Sequence, residues 1–375
     1  MKLTITQAQL AYGLGIVSRA VSPRSTLPVL NNILIATDNG RLRLSATNLE
    51  LGITCWIGAN IEEEGSITIP ARIFFDLVNT LPADKVNLSL NTRTQTLNIH
   101  CGTSNFDIKG IDAQEFPPMP SPDLSSGVEL NVADFKKMIH QVSFAASSEE
   151  SRPVLQGVLM EINNNKLSLA ATDGFRISVR TAELSIPQDN PVKVIIPARS
   201  LSELARIATD GNETVTMIVP QDRGQAIFHM KNAELVTQLI EGNFPDYRAI
   251  IPRSFKTRTV ISTNEFLKAC RQAEIIAREG NNVIRLNFQP QDGAPGTVEF
   301  STQSEEMGSG EIVVDANIEG PELLIAFNVR YLSEVLEVIG TPNTILETNA
   351  NNTPGLLSPV GNDNFRHVIM PMHLG

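Results

Sequence analysis

No run of 18 apolar residues occurs in the 375-residue chain, so no helical membrane span is expected. Cysteine is scarce. Cys55, Cys101 and Cys270 are odd in number and far apart, which suits free, buried structural thiols in a reducing cytoplasm rather than a disulfide framework. The opening MKLTITQAQL has no apolar h-region, so no signal peptide is expected. Positive charge is in deficit: Lys+Arg 30 against Asp+Glu 41 gives a net charge of −11, which at first argues against a nucleic-acid partner.

Catalytic signatures are missing too. The five histidines, His100, His140, His229, His367 and His373, include no two at metal-ligand spacing. There is no Walker loop and no nucleophile elbow. GLGIVS at 13–18 lies inside a helical pattern, not after a strand, so it does not read as a dinucleotide fingerprint. Glu62, Glu63 and Glu64 read as solvated charge rather than general acids. These absences tilt the chain toward binding or scaffolding, with no cofactor and no metal expected.

What is present is repetition. LPVLNNILIATDNGRLRLSATNLELGI (27–53) lies over RPVLQGVLMEINNNKLSLAATDGFRIS (152–178) with nine of 27 positions identical at a single offset of 125. Unrelated segments would share about two. A fainter third copy, FSTQSEEMGS (300–309), keeps Ser45 as Ser301 and Gly52 as Gly308. The expected division is three repeats, 1–125, 126–253 and 254–375, each large enough for its own core. Breaker-rich or polar stretches, PSPDLSSG (120–127) and PRSFKTR (252–258), mark the boundaries.

Each third opens on an apolar helical stripe: Leu10, Leu14, Val17 and Val21; Phe135, Met138, Ile139 and Val142; Phe266, Cys270 and Ala273. A second stripe follows mid-repeat: Phe74, Leu77, Val78 and Leu81; Leu201, Leu204 and Ala208; Val329, Leu332, Leu336 and Ile339. Pro70 and Pro197 stand near the starts of two of these. GRLRLSAT, KVNLSLNTRTQTLNIH, KLSLAAT and TVTMIVP read as strands, with turns at Asp38-Asn39-Gly40 and Asn163-Asn164-Asn165. The fold class is α+β: three tandem units, each with two helices laid on antiparallel sheet. Taken as 6–24, 71–82, 132–147, 198–209, 263–278 and 328–339, the helical segments hold 11 Lys+Arg and 7 Asp+Glu, so the helices read as positive on a negative body. Ordinary solvated helix faces would give the same count.

Six phrases then fall in order: TLPVL (26–30), IPAR with FFDLV (69–78), ATDGFRIS (171–178), EGNFPDYRAIIP (241–252), FNVRYLSEVL (327–336) and VIMPMHL (368–374). Over its full length the chain resembles the bacterial DNA sliding clamp, the beta subunit of DNA polymerase III. The resemblance implies a non-catalytic processivity factor, a head-to-tail homodimer closed into a ring around double-stranded DNA. Helices would line the hole and sheets form the outer wall. Its other implied partners are replicative and repair polymerases, the clamp loader and further proteins carrying short hydrophobic motifs.

By resemblance, a partner-peptide pocket lies between the second and third repeats. Its wall takes Leu155, Thr172, Gly174, Phe175, Arg176 and Ile177, then Pro245 and Ile250, then Asn328 and Tyr331, and from the tail Val368, Met370, Pro371, Met372 and Leu374. Without the resemblance, ATDGFRIS reads as a strand and an Asp-Gly turn, and the tail as a closing strand. Arg24, Arg72, Arg152 and Arg199 match DNA-binding positions, whereas Glu149 makes the 147–152 loop acidic. Phe106, Ile275 and Ile276 match positions at the subunit contact. Phe175, where the family often has histidine, bears on peptide preference, as do Ala249 and His373. Two other readings stand beside this one: a scaffold of three α+β repeats that binds no DNA, and an enzyme with a carboxylate site that no motif betrays.

Overall fold

The structure, a computed structural model, describes residues 1–22, 25–120, 123–124, 127–209, 213–220, 224–279 and 281–373. Among these residues are six α-helices: α1 (Gln7–Val17), α2 (Ala71–Thr80), α3 (Val132–Val142), α4 (Ala198–Ile207), α5 (Thr263–Ala277) and α6 (Val329–Ile339). None of them is long and apolar enough to cross a membrane. The residues group into two compact units, Met1–Phe135 with Ser200–Leu239, and Lys136–Arg199 with Ile240–Gly375.

The first unit holds two antiparallel sheets. One has five strands, and its edge is Ser104–Lys109. The other has eight and contains the join Ala233–Gln238 against Leu51–Gly58. α1 packs on strands Arg41–Thr47 and Leu51–Gly58. Gly13 allows that approach: a Cβ there would come 2.9 Å from Leu44 and 3.0 Å from Ile57. Thr6 caps α1, its hydroxyl accepting from the Gln9 amide at 3.3 Å.

The second unit holds one ten-stranded sheet, in which Arg176–Pro197 joins Phe365–Ile369. α5 lies on strands Gly296–Ser304 and Gly308–Glu319, and α6 packs against α5. Ser262 caps α5 through the Glu265 amide at 3.5 Å. Asn328 caps α6 through the Arg330 amide at 3.0 Å, and Gly340, at φ 72°, ends it in the left-handed conformation. Phe266, Cys270 and Ala273 of α5 and Val329, Leu332, Leu336 and Ile339 of α6 are buried in one cluster. Each fully buried large side chain of such a stripe contributes about 1.5–3 kcal/mol.

Most stripe residues are buried as the spacing predicts. Leu77 is half-buried, and Val21 lies beyond the end of α1 in extended backbone. Two further expectations are corrected. Asn163-Asn164-Asn165 is not a turn: strand Gly157–Thr172 runs through it, with register shifts on either side of Asn164, whose φ is 54°. The extra residues are on the partner strand, where the nine steps from Glu183 to Val192 face the four from Ile162 to Lys166, so the bulges lie in Arg176–Pro197 and the left-handed Asn164 sits opposite them. The helical charge surplus also shrinks. Within the observed bounds the six helices carry eight Lys+Arg and seven Asp+Glu. Arg19 sits in a following 3-10 turn and Arg278 is the C-cap of α5. Arg24 lies outside the described residues, as do Leu374 and part of the 120–127 boundary.

All three cysteines are free and buried, and burial pushes the Cys55 thiol up to about 11.

Candidate functional site

Thr172-Asp173-Gly174-Phe175-Arg176 forms a compact loop. The Thr172 hydroxyl donates to the Arg176 carbonyl at 2.7 Å and accepts from the Gly174 amide at 3.1 Å. Asp173 accepts from the amides of Phe175 at 2.9 Å and Arg176 at 3.0 Å. Thr47-Asn48-Leu49-Glu50-Leu51 repeats this arrangement, with the corresponding contacts at 3.1, 3.0, 3.0 and 2.7 Å. Gly174 has φ 95° and Leu49 φ 75°. Glycine takes that conformation without cost, whereas a leucine is strained there.

The second copy differs in what the loop carries. Where the first has Leu51, the second has Arg176, which is 6% exposed. Its guanidinium donates to Asp173 through Nε at 3.1 Å, to Glu334 of α6 through Nη1, and to the Phe144 carbonyl through Nη2 at 2.9 Å. It stacks over the Tyr331 ring at 4.2 Å and the Phe144 ring at 5.2 Å. A buried cation costs several kcal/mol unless paired, and this one is paired twice and sandwiched. Burial, and then the Asp173 charge, raise the Tyr331 hydroxyl pKa.

Beneath it lies His367, fully buried and stacked on Phe144 with ring centroids 5.5 Å apart. Its Nδ1 is 2.6 Å from the Ser178 hydroxyl, and among the described residues its Nε2 has no hydrogen-bond partner. Burial and the neighbouring Arg176 charge hold its pKa well below the usual histidine value.

The tail closes over this framework. Met370 donates its amide to the Phe175 carbonyl at 2.9 Å, and Met372 to Ala326 at 2.8 Å. The closing strand, Phe365–Ile369, stops at the start of the tail, and beyond it Met372 forms an isolated bridge to Ala326. Phe175 (59% exposed), Met370 (40%) and Ile250 (44%) remain open to solvent. Pro245 is exposed, and Leu155, Pro371 and Met372 are half-buried. Ile177 and Val368 sit in an apolar cluster with Tyr247, partly covered by Val154 and Ile251. Phe175, Arg176, Asn328 and Tyr331 line a cleft of about 400 Å³.

The remaining expected site residues are scattered. Arg72 on α2 and Arg199 on α4 are exposed, with Arg72 3.8 Å from Asp76. Arg152 is not on a helix face. It pairs with Glu149 at 3.9 Å, and its Nη1 lies 3.5 Å from where a Cβ on Gly174 would sit, beside the Thr172–Arg176 loop. Phe106 is 43% exposed on an edge strand, and Ile275 is 60% exposed on α5 beside half-buried Ile276. Among the described residues no group of three His, Cys, Asp or Glu is placed to hold a metal ion. Arg176, with every arm engaged, positions the loop and offers no free acid or base.

Models of the DNA polymerase III beta subunit match the chain three times: the N-terminal domain at residues 1–120, the central domain at 129–246 and the C-terminal domain at 248–373. The chain belongs to this family. It is 33% identical to the beta sliding clamp of Synechococcus elongatus over 100% of both chains, and 32% identical to that of Bacillus subtilis over 99% of both. The crystal structure of the Bacillus subtilis clamp superposes with a TM-score of 0.93 at 31% identity, covering 100% of both chains. A Pseudomonas aeruginosa clamp bound to griselimycin superposes with a TM-score of 0.91 at 29% identity, also covering 100% of both.

For this clamp-family chain, sequence reasoning missed Phe144, Glu334 and His367, and read Asp173 only as a turn residue. Asp173 carried a signal, three residues before Arg176. Glu334 and His367 become neighbours of Arg176 only through folding.

Proposed function

We propose that the chain acts as a DNA sliding clamp: two copies close head to tail into a ring around duplex DNA and tether polymerases and other replication and repair proteins. The observation that supports this best is the doubled strand joint. Thr54 pairs with Glu234 in the first unit, and Val179, the repeat counterpart of Thr54, pairs with Arg366 in the second. Two joints link three repeats and leave one strand edge over at each end of the series. Among the described residues strand Ser104–Lys109 pairs on one side only, as does the first half of Gly308–Glu319.

The register of a third joint follows from these pairings. Ser45 faces Thr54 in the first repeat, and its counterpart Ser301 faces Glu311 in the third. His229 faces Glu234 across strands Gln225–His229 and Ala233–Gln238, and His100 faces Asn105 across Thr96–Cys101 and Ser104–Lys109, the matching strand pair 129 residues earlier (229 − 100 and 234 − 105). Asn105 thus pairs with Glu311 of the partner subunit, and Phe106 with Gly310 of the partner subunit. Ile276 borders that point, 3.3 Å from where a Cβ on Gly310 would sit. Phe106, Ile275 and Ile276 thereby gain cover, and a head-to-tail contact of this kind closes into a ring.

The three repeats are those at 1–125, 126–253 and 254–375. Arg72 and Arg199, with Arg24 and Arg152 by resemblance, meet phosphates without reading bases. With the helices near neutral within their observed bounds, retention rests on topology more than on affinity. The role asks for no catalytic group, cofactor or metal, and it belongs in the cytoplasm. Partner peptides dock on the exposed apolar surface of Phe175, Met370, Pro245 and Ile250, over Thr172, Ile177 and Val368 and against Leu155, with Gly174, Arg176, Asn328, Tyr331, Pro371, Met372 and Leu374 completing the site.

Light scattering and a loading assay with a clamp loader test this together. A dimer that stays on closed circular DNA at a salt concentration that strips it from linear DNA is the expected result. A monomer at micromolar concentration, or equal loss from both DNAs, rejects it.

A further inference from the structure

On the sheet of the second unit, next to the peptide surface, lies a cleft of about 600 Å³. Four arginines line it, Arg248, Arg253, Arg258 and Arg366, against two carboxylates, Glu347 and Asp363. The lining itself thus carries more arginine than carboxylate. Two of the arginines are already engaged: Arg248 pairs with Glu161, and Arg258 with Glu347 at 3.8 Å and Glu319 at 3.9 Å. Among the described residues neither Arg253 nor Arg366 comes within ion-pair distance of a carboxylate, the Arg366 charge acting on Glu347 from farther off, and both are exposed. Apolar surface is interleaved with the charge, in half-buried Ile251 and in Phe255, which is 47% exposed.

We infer that this cleft receives an acidic flank of the same partner peptides, so that Arg253 and Arg366 add an electrostatic anchor to the apolar one. The inference rests on the peptide-site reading above. Continuity supports it, because Ile250 of the peptide surface and Ile251 of the cleft are consecutive residues. A tail of four extended residues spans roughly 13 Å. A protein segment suits the lining better than a nucleic-acid backbone does. Glu347 and Asp363 would repel a continuous row of phosphates, whereas spaced acidic side chains with apolar ones between them match both kinds of lining.

The test uses the full-length protein and synthetic peptides with a Gln-Leu-rich, Phe-ending core, extended at one end or the other by four Glu, four Gln or four Lys. At low salt the Glu-extended peptide at one of the two ends should bind about three- to tenfold tighter than its Gln counterpart, the gain expected from two partly exposed ion pairs. The gain should shrink as salt is raised. In R253Q/R366Q it should vanish while the Gln peptide binds as before, and in R253E/R366E the Lys peptide should overtake the Glu peptide. Equal affinity of the Glu and Gln peptides at both ends, or a gain that survives R253Q/R366Q, overturns the inference and leaves the peptide site standing. Failure of every peptide to bind overturns both. An oligodeoxynucleotide that binds through Arg253 and Arg366 when the Glu tail gives no gain assigns the cleft to nucleic acid instead.

Discussion

Arg176 and Glu334, 158 residues apart in sequence, are joined by a hydrogen-bonded ion pair that ties the Thr172–Arg176 loop to helix α6. Arg176 is buried, so removing Glu334 leaves its charge with Asp173 alone. Glu334→Ala should cost about 1–2 kcal/mol, less than a fully buried pair because the Glu334 side chain is 36% exposed. Arg176→Lys should not restore the loop, since an ammonium cannot reach Asp173, Glu334 and the Phe144 carbonyl at once or stack flat between two rings. Urea unfolding of Glu334→Ala, Arg176→Lys and the unmodified protein measures this, and a Lys variant as stable as the parent refutes the triple role.

Acid should weaken the second unit through His367. Its folded pKa lies below the ordinary value near 6.5 because burial and Arg176 oppose the charge. The unfolded chain therefore takes up a proton first as pH falls, and stability present above about pH 6.5 is lost by up to about 1.4 kcal/mol per pH unit toward the folded pKa. Nitrogen NMR of the imidazole should show a neutral ring at pH 5.5, and His367→Gln should flatten the stability profile between pH 6.5 and 5. A ring that titrates normally contradicts this.

The tail should be needed for peptide binding but not for dimerisation. Met370 and Met372 bond the tail to Phe175 and Ala326, away from Phe106 and Ile275 in the chain. Deleting residues 370–375 should weaken peptide affinity more than tenfold, since it removes the exposed Met370 side chain and the Met370 amide bond to the Phe175 carbonyl that holds the loop edge. Calorimetric titration with and without the tail decides it. Unchanged affinity would return the tail to a purely structural strand.

The proposed register of the subunit joint is open to covalent trapping. Asn105→Cys with Glu311→Cys in one chain should yield, under mild oxidation, a dimer that survives denaturing gel electrophoresis without reductant, because paired strand positions hold Cα atoms within disulfide range. Cys55, Cys101 and Cys270 are buried and should not compete. Cross-linking of Phe106→Cys with Ile312→Cys in preference to that pair would mean a different register. Separately, Ile275→Ala with Ile276→Ala should shift the protein toward monomer.

The helices were legible in the sequence because their cause is local. A stripe such as Val329, Leu332, Leu336 and Ile339 needs only the 3.6-residue period, and its ends are marked by Asn328 and Gly340. The repeats were legible because the loop keeps its Thr-Asx pair at 47–48 and 172–173, where the hydrogen bonds that shape it are also local. Strand continuity was not. Asn163-Asn164-Asn165 has turn composition, but whether such a segment turns or stays in a strand depends on a partner strand beginning at Arg176. Nor was the helical charge balance, since Arg19 and Arg278 fall outside helices whose ends the tertiary contacts set. The environment of Arg176 was the least legible of all: one partner, Asp173, is three residues away, while Phe144, Tyr331 and Glu334 come from α6 and the turn after α3. Sequence determines what a segment can do through forces acting within a few residues. Which strand edges meet, and which buried charge finds its counterion, are decided only when chain-distant surfaces are packed, because pairing energies there depend on shape and burial that no local pattern encodes.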